Sequence, residues 1–128
     1  MAKLNLGPGG GWSRDGWDNL DLNTGYDLAQ RFLREYPDGS VDVVYTSHCL
    51  EHLEFAAAAR LVQNVHRTLR PGGVARIVVP DADILDDILA TRDTEYLVEH
   101  NPHYYARHRH IPFEEHLASL LGWDRFLG

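Results

Sequence analysis

Lys3-Leu4-Asn5-Leu6-Gly7-Pro8-Gly9-Gly10-Gly11-Trp12 is the stretch around which the rest of the chain is read. Leu4 to Leu6 is a short apolar run and predicts a first β-strand. Four glycines in the next five positions let the backbone turn sharply and come close to a ligand without Cβ clashes. Trp17-Asp18-Asn19-Leu20-Asp21-Leu22 then predicts a second strand, with Asp21 near its carboxyl end. A glycine loop after one strand and an acid after the next suit a nucleoside. Backbone N–H groups meet its polar tail, and the carboxylate accepts from ribose hydroxyls. Glycine turns and strand-end acids are both common, so the pair gains meaning only alongside the rest of the chain.

The chain has 128 residues, 44% of them hydrophobic and 24% charged, the balance of one ordinary globular domain spanning 1–128. A net charge of −7, with Lys and Arg scattered, argues against a nucleic-acid partner. Cys49 is the single cysteine, so no intrachain disulfide forms, as befits a reducing compartment. No signal-peptide block and no bilayer-length apolar run is seen, and the expectation is a cytoplasmic protein without a membrane partner.

After Asn23-Thr24-Gly25, a turn, Tyr26 to Gln30 reads as a short third strand and Arg31 to Glu35 equally as a helical turn; periodicity does not separate them. Pro37-Asp38-Gly39-Ser40 is a turn, and Val41 to Thr46 is almost continuously apolar, as in a strand buried on both faces. Phe55 to Arg70 predicts a helix with Ala58, Leu61, Val62, Val65 and Leu69 on one face, ended by Pro71-Gly72-Gly73. Val74 to Pro80 predicts another buried strand, and Asp81 or Asp83 caps a helix through Leu85, Ile88 and Leu89, with Arg92 to His100 extending or repeating it. Pro112 opens a last helix with Leu117, Leu120 and Leu121 as its stripe. Strands alternating with helices mean an α/β domain with a mostly parallel sheet.

Taken together, Leu4-Asn5-Leu6-Gly7-Pro8-Gly9-Gly10-Gly11-Trp12, Asn19-Leu20-Asp21-Leu22, the block Pro37 to Leu53 (PDGSVDVVYTSHCLEHL) and Leu69 to Asp81 (LRPGGVARIVVPD) resemble the class I S-adenosylmethionine-dependent methyltransferases. The likeness is to a small bacterial subgroup with an SVDxxYxSHxLEH segment, good over residues 3 to 85 and fainter from His110 to Trp123. It implies a Rossmann-like sheet with a shortened first crossover and a truncated C-terminal end. S-adenosyl-L-methionine would be the cofactor and a small molecule or glycan the methyl acceptor. By position, Gly7, Gly9 and Gly11 would line the methionine part of the cofactor and Asp21 would bind its ribose. The segment Gly7 to Trp17 is about the minimum for a parallel crossover, so the first helix must be one turn or absent. The family's adenine-holding acid after strand three falls near Ala29, with Asp27 two residues upstream. Either Asp27 moves in, or backbone and apolar contacts hold adenine.

His48 and His52 are four residues apart in Thr46-Ser47-His48-Cys49-Leu50-Glu51-His52, after the strand that the family numbers fourth. As catalytic residues, one of them would orient or deprotonate an acceptor hydroxyl or amine. The alternative is that both only hold the loop in place. A metal pair lacks a third ligand, and Glu51 reads as a first-turn helix residue. Cys49 reads as core. The run His100 to His110 is either an acceptor-binding lid or a solvated connection. His108 and His110 would point oppositely in an extended chain, which argues against a metal pair.

Three functions compete: a methyltransferase, a non-catalytic cofactor-binding or partner subunit of the same fold, and a nicotinamide dehydrogenase. The last is disfavoured because Gly7-x-Gly9-x-Gly11 is not G-x-G-x-x-G and no full helix succeeds it. Ile77, Val78 and Val79 would lie on an exposed edge, and a homodimer or the folded-back tail is expected to cover it.

Overall fold

A computed structural model of the chain describes residues 1–92 together with Glu95 and Glu99. Two compact units divide the chain, Met1–Val79 and Pro80–Gly128. The first is built on four parallel strands, β1 (Ala2–Leu6), β2 (Asp18–Leu20), β3 (Val41–Ser47) and β4 (Leu69–Val78), in the order β2-β1-β3-β4. The sequence-predicted α/β class with a parallel, Rossmann-like sheet is what is observed. Helices α1 (Leu28–Arg31) and α2 (Phe55–Thr68) complete this unit. Among the described residues, no helix is long and apolar enough to cross a membrane.

The register sorts the strands' side chains into two unlike faces. Leu4 stands beside Val44 and Leu6 beside Thr46, and all four are buried. Leu4, Leu6 and Val44 join Leu61 and Val65 of α2, Leu28 of α1, and Tyr26, Phe32, Leu33 and Val41 in one core cluster. Leu61 is fully buried at its centre, where truncation to Ala would typically cost about 2–5 kcal/mol. The opposite face carries Asn19, Asn5, Tyr45 and Arg76, neighbours across the four strands.

On that second face, side-chain amides do the work of the missing helix. The first crossover contains no helix, in line with its length. The Asn5 amide donates to the Trp12 carbonyl and to Asn19 Oδ1, both at 2.9 Å. Asn19 Oδ1 also accepts from Arg14 N, and its amide donates to the Arg14 and Trp17 carbonyls. The Arg14 guanidinium lies over the Trp17 ring at 5.3 Å and the Tyr45 ring at 4.4 Å from their centroids. A crossover too short for a helix is thus tied down by two amides and one cation over two rings.

Several expectations are corrected. Tyr26 to Gln30 is no strand; Asp27 caps the four-residue α1, whose end at Phe32 and Leu33 is left-handed (φ 50° and 57°). Among the described residues nothing takes the place of the family's third strand, so Val41–Ser47 is third in this chain. The reason is local: the Asp27 side chain accepts from Ala29 N, and the Tyr26 hydroxyl accepts from Leu33 N at 3.0 Å, closing a turn there. The helix α2 stops at Thr68, and Leu69 is already extended. Pro71-Gly72-Gly73 therefore does not cap it. Arg70 to Gly73 loop out of β4 opposite the single residue Asp42, which accepts from Arg70 Nε at 2.5 Å. Gly72 has φ +78°, and a Cβ on Gly73 would lie 2.9 Å from the Arg70 carbonyl oxygen. Only glycine fits that bulge.

The turn between α1 and β3 is gripped by Arg67 of α2. Its guanidinium donates to the carbonyls of Leu33 and Tyr36 and to Asp38 at 2.7 Å. In the second unit, α3 (Ala82–Thr91) is capped by Asp81, which accepts from Asp83 N, as expected. It ends at Arg92 with φ 53°, and Glu95 and Glu99 beyond it are helical. The expectations for Asn101 to Gly128, including the His- and Tyr-rich run and the last helix, lie outside the described residues.

Two outcomes are expected. Asn19→Ala should destabilise the domain by roughly 1–3 kcal/mol in urea unfolding, since several bonds of the crossover go at once. Burial first, and then the Glu35 carboxylate, push the Tyr26 hydroxyl up to about 12, and burial and Asp18 raise Tyr36 as well. Both phenols are held neutral in the fold, so their stabilisation is complete below the ordinary value near 10. It drains away as pH rises from there through the raised folded-state values. Alkaline unfolding followed by circular dichroism should therefore begin above about pH 10 and be less steep in Tyr26→Phe.

Candidate functional site

The strand order reverses between β1 and β3, and ligands of open parallel sheets bind at that switch point, beyond the carboxyl ends of the strands. Three segments leave the sheet there: the glycine loop after β1, Asp21 after β2, and His48 to His52 after β3.

The glycine loop begins with Gly7 at φ +65°, its N–H donating to the Leu20 carbonyl at 2.9 Å. A Cβ at Gly7 would stand 2.5 Å from the Cys49 sulfur and 2.8 Å from its Cβ. Gly7 and Cys49 therefore join the β1 loop to the β3 loop in direct contact, and Gly7 is glycine for both conformation and space. Cys49 is half-buried here, close to its sequence reading as core. Gly9 has φ +63°, yet nothing lies within 4 Å of a Cβ built on it, on Gly10 or on Gly11. The loop is open on that side. Trp12, which closes it, is 79% exposed.

Asp21 holds this loop. It is buried, its Oδ2 accepts from Gly9 N at 2.6 Å, and its Oδ1 accepts from Thr24 N at 3.1 Å as the cap of a 3-10 turn over Leu22–Thr24. The Thr24 hydroxyl accepts from Asp21 N in return. Each carboxylate oxygen keeps a lone pair beyond these bonds. Asp27 is occupied differently: its Oδ1 accepts from Ala29 N at 3.0 Å as the cap of α1.

After β3 the chain turns at His48, which has φ +53°, a left-handed conformation costing a non-glycine residue about 1–2 kcal/mol. The turn is pinned by the His48 N–H, which donates to the Val78 carbonyl at 2.9 Å. A 3-10 turn, Leu50–His52, comes next, and it swings Glu51 inward. The Glu51 side chain is only 8% exposed, with Oε1 3.5 Å from His48 Nδ1 and 3.8 Å from His52 Nε2. His48 and His52 thus share a neighbour, as their four-residue spacing allows. Neither distance makes a formed hydrogen bond, and both Glu51 oxygens are buried without a bonding partner. The inward turn of Glu51 escapes sequence reading, because a short 3-10 turn leaves no periodic trace. Among the described residues, no three His, Cys, Asp or Glu are grouped to hold a metal ion.

An anionic or polar ligand tail has room beside Gly9 to Gly11, a diol has the spare lone pairs of Asp21, and proton-carrying groups stand across the switch point on the β3 loop. The residues present fit a nucleoside carrying an amino-acid tail. Residues 6–122 match the family model described as a methyltransferase domain. No curated protein and no solved structure matched the chain.

The Gly9–Asp21 bond makes its own prediction. Asp21→Asn keeps a cap for Thr24 but presents an amide donor or a weaker acceptor to the Gly9 N–H. Stability should fall by about 1–3 kcal/mol, the range for breaking a bond to a charged group. Amide exchange at Gly9 should speed up, while that of the β3 core stays slow.

Proposed function

The chain belongs to the methyltransferase-domain family, and from that premise we propose that it moves a methyl group from S-adenosyl-L-methionine to a small-molecule or glycan acceptor. The observation that carries this reading is the buried Asp21 carboxylate, which bonds Gly9 N at 2.6 Å and sets the open glycine loop at the switch point. S-adenosyl-L-methionine supplies an activated methyl group on a sulfonium, so the protein's share is to position the acceptor and manage its proton.

Gly10 and Gly11 would hold the methionine end through backbone N–H groups, and Gly9, its own N–H spent on Asp21, would line it with its open Cα face, with Gly7 setting the turn. Asp21 would accept from the ribose hydroxyls with its free lone pairs, each such bond strengthened by its charge. Asp27 spends Oδ1 on the cap of α1, and its Oδ2 would accept from the adenine amino group. His48 and His52 are the candidate catalytic residues. Both are partly exposed, at 62% and 40%, beside the loop that meets Gly7 through Cys49. They would receive the acceptor's hydroxyl or amine and take its proton.

Isothermal calorimetry with S-adenosyl-L-methionine, and with NAD as control, tests the reading. Binding of the first alone is expected. Gly9→Val should abolish it, because a branched side chain would fill the open wall of the loop and strain φ +63°. Asp21→Ala should weaken it by roughly 1.5–3 kcal/mol, and Asp27→Ala by much less. Unchanged affinity in Gly9→Val would remove the loop from the site. With an acceptor in hand, His48→Ala and His52→Ala should lower turnover and leave cofactor affinity nearly intact.

A further inference from the structure

We propose that Glu51 is a positioning residue that fixes which nitrogen of His48 is free to take a proton. This role rests on the reading of His48 as an acceptor-handling residue and extends it to a group that reading does not use. Glu51 is an anomaly in its setting. A carboxylate with 8% of its side chain exposed and no hydrogen-bond partner for either oxygen has lost its water and gained little in return. Ordinary packing would favour an apolar side chain of the same shape at that position. The groups that approach it are two imidazoles, His48 by Nδ1 at 3.5 Å and His52 by Nε2 at 3.8 Å, both towards the same oxygen.

The difference between those two nitrogens gives the cluster its chemical content. A carboxylate can only accept, so its field favours, on each ring, a protonated nitrogen on the side that faces it. For His52 that is Nε2–H, the form a neutral imidazole in water already prefers. For His48 it is Nδ1–H, the less common form, which leaves Nε2 unprotonated and directed away from Glu51. His48 is also the more exposed ring and stands on strained backbone (φ +53°) held by its N–H bond to Val78. Strain of this kind persists where the surroundings over-determine a geometry, and it clusters at working sites. The outward Nε2 lone pair is a base for an acceptor O–H or N–H. That proton passes to Nε2, its bonding pair stays on the oxygen or nitrogen that receives the methyl group, and the imidazolium so formed faces the Glu51 carboxylate. The same roles recur wherever a buried acid orients a histidine base. The acceptor class so implied is an alcohol, phenol or amine, which must shed a proton on methylation, and not a thioether or tertiary amine, which has none to lose.

The test needs no acceptor. In protein labelled with ¹⁵N in its histidine rings, long-range ¹H–¹⁵N correlation at about pH 8, where an ordinary imidazole is neutral, reads each tautomer. Wild type should show His48 mainly as Nδ1–H and His52 as Nε2–H. In Glu51→Leu, which removes the acceptor, His48 should revert to mainly Nε2–H while His52 stays as it was. The melting temperature should be no lower than wild type, because a buried carboxyl group without a formed hydrogen bond has gone. Mainly Nε2–H at His48 in wild type would overturn the proposal. So would Nδ1–H retained in Glu51→Leu, where a lower melting temperature would then mark Glu51 as a structural residue. Should Glu51→Leu not fold, Glu51→Gln, which keeps the volume and loses the charge, decides in the same sense by a fall in the Nδ1–H share at His48. Titrating S-adenosyl-L-methionine into the same wild-type sample separates the two readings. Failure to bind would sink the cofactor assignment without touching the tautomers, and wrong tautomers would sink the role of Glu51 without touching the cofactor.

Discussion

One carboxylate organises the carboxyl edge of this sheet. Asp21 follows the second strand, caps the turn after it, and reaches back to the amide of Gly9, so two loops from adjacent strands share a single anchor. A bond from a charged acceptor to a backbone N–H in a buried setting is among the stronger ones available to a protein. It is spent on a loop with almost no side chains to hold it otherwise. Glycine gives that loop freedom to approach a ligand, and the same freedom would leave it unformed in the absence of a ligand. Asp21 removes most of that disorder beforehand. The loop can be open on one side and fixed on the other, which is the condition for binding without a large ordering cost.

The opposite wall is set by contact instead of charge. Gly7 admits the Cys49 side chain, which brings the loop after β3 against the loop after β1. His48 and His52 then belong to the same edge as the glycines, although the forty residues from Pro8 to Ser47 lie between Gly7 and His48. Two imidazoles and an open glycine loop are thereby placed on two sides of one switch point.

Much of this is legible in the sequence, for identifiable reasons. The glycine run, Asp21, the β-branched Val41 to Thr46 and the long periodic helix from Phe55 each state a local preference that agrees with the fold, and such agreement is what makes a chain readable. The class of the domain, the parallel order and the helix-free first crossover all rest on them. What is not legible has a physical cause in each case. Tyr26 to Glu35 is short, and its outcome is set by the Tyr26 hydroxyl meeting Leu33 N, a contact seven residues away that no periodicity records. Pro71-Gly72-Gly73 looks like a helix stop because proline and glycine punctuate; in the fold they serve a bulge opposite Asp42, one strand over. Asp21 reads as a ligand-binding acid, and its bond to Gly9 N depends on a tertiary approach. The burial of Glu51 is likewise a property of the turn that carries it and not of its neighbours in sequence.

The amide pair on the face away from the core has a consequence for strand alignment. Parallel strands that are apolar on one face are kept in step by that face, since a slip of one residue would turn the apolar set outward. Here β2 is three residues long and contributes no fully buried side chain, so its apolar content is a weak ruler. Asn5 and Asn19 supply another. They stand side by side across β1 and β2 and bond to each other and to three carbonyls of the intervening segment. Sliding β2 by one position would turn Asn19 to the apolar side and strand both amides at once. The crossover therefore acts as a ratchet, with a single low-energy alignment, and that alignment carries Asp21 to the height of Gly9 on the neighbouring loop.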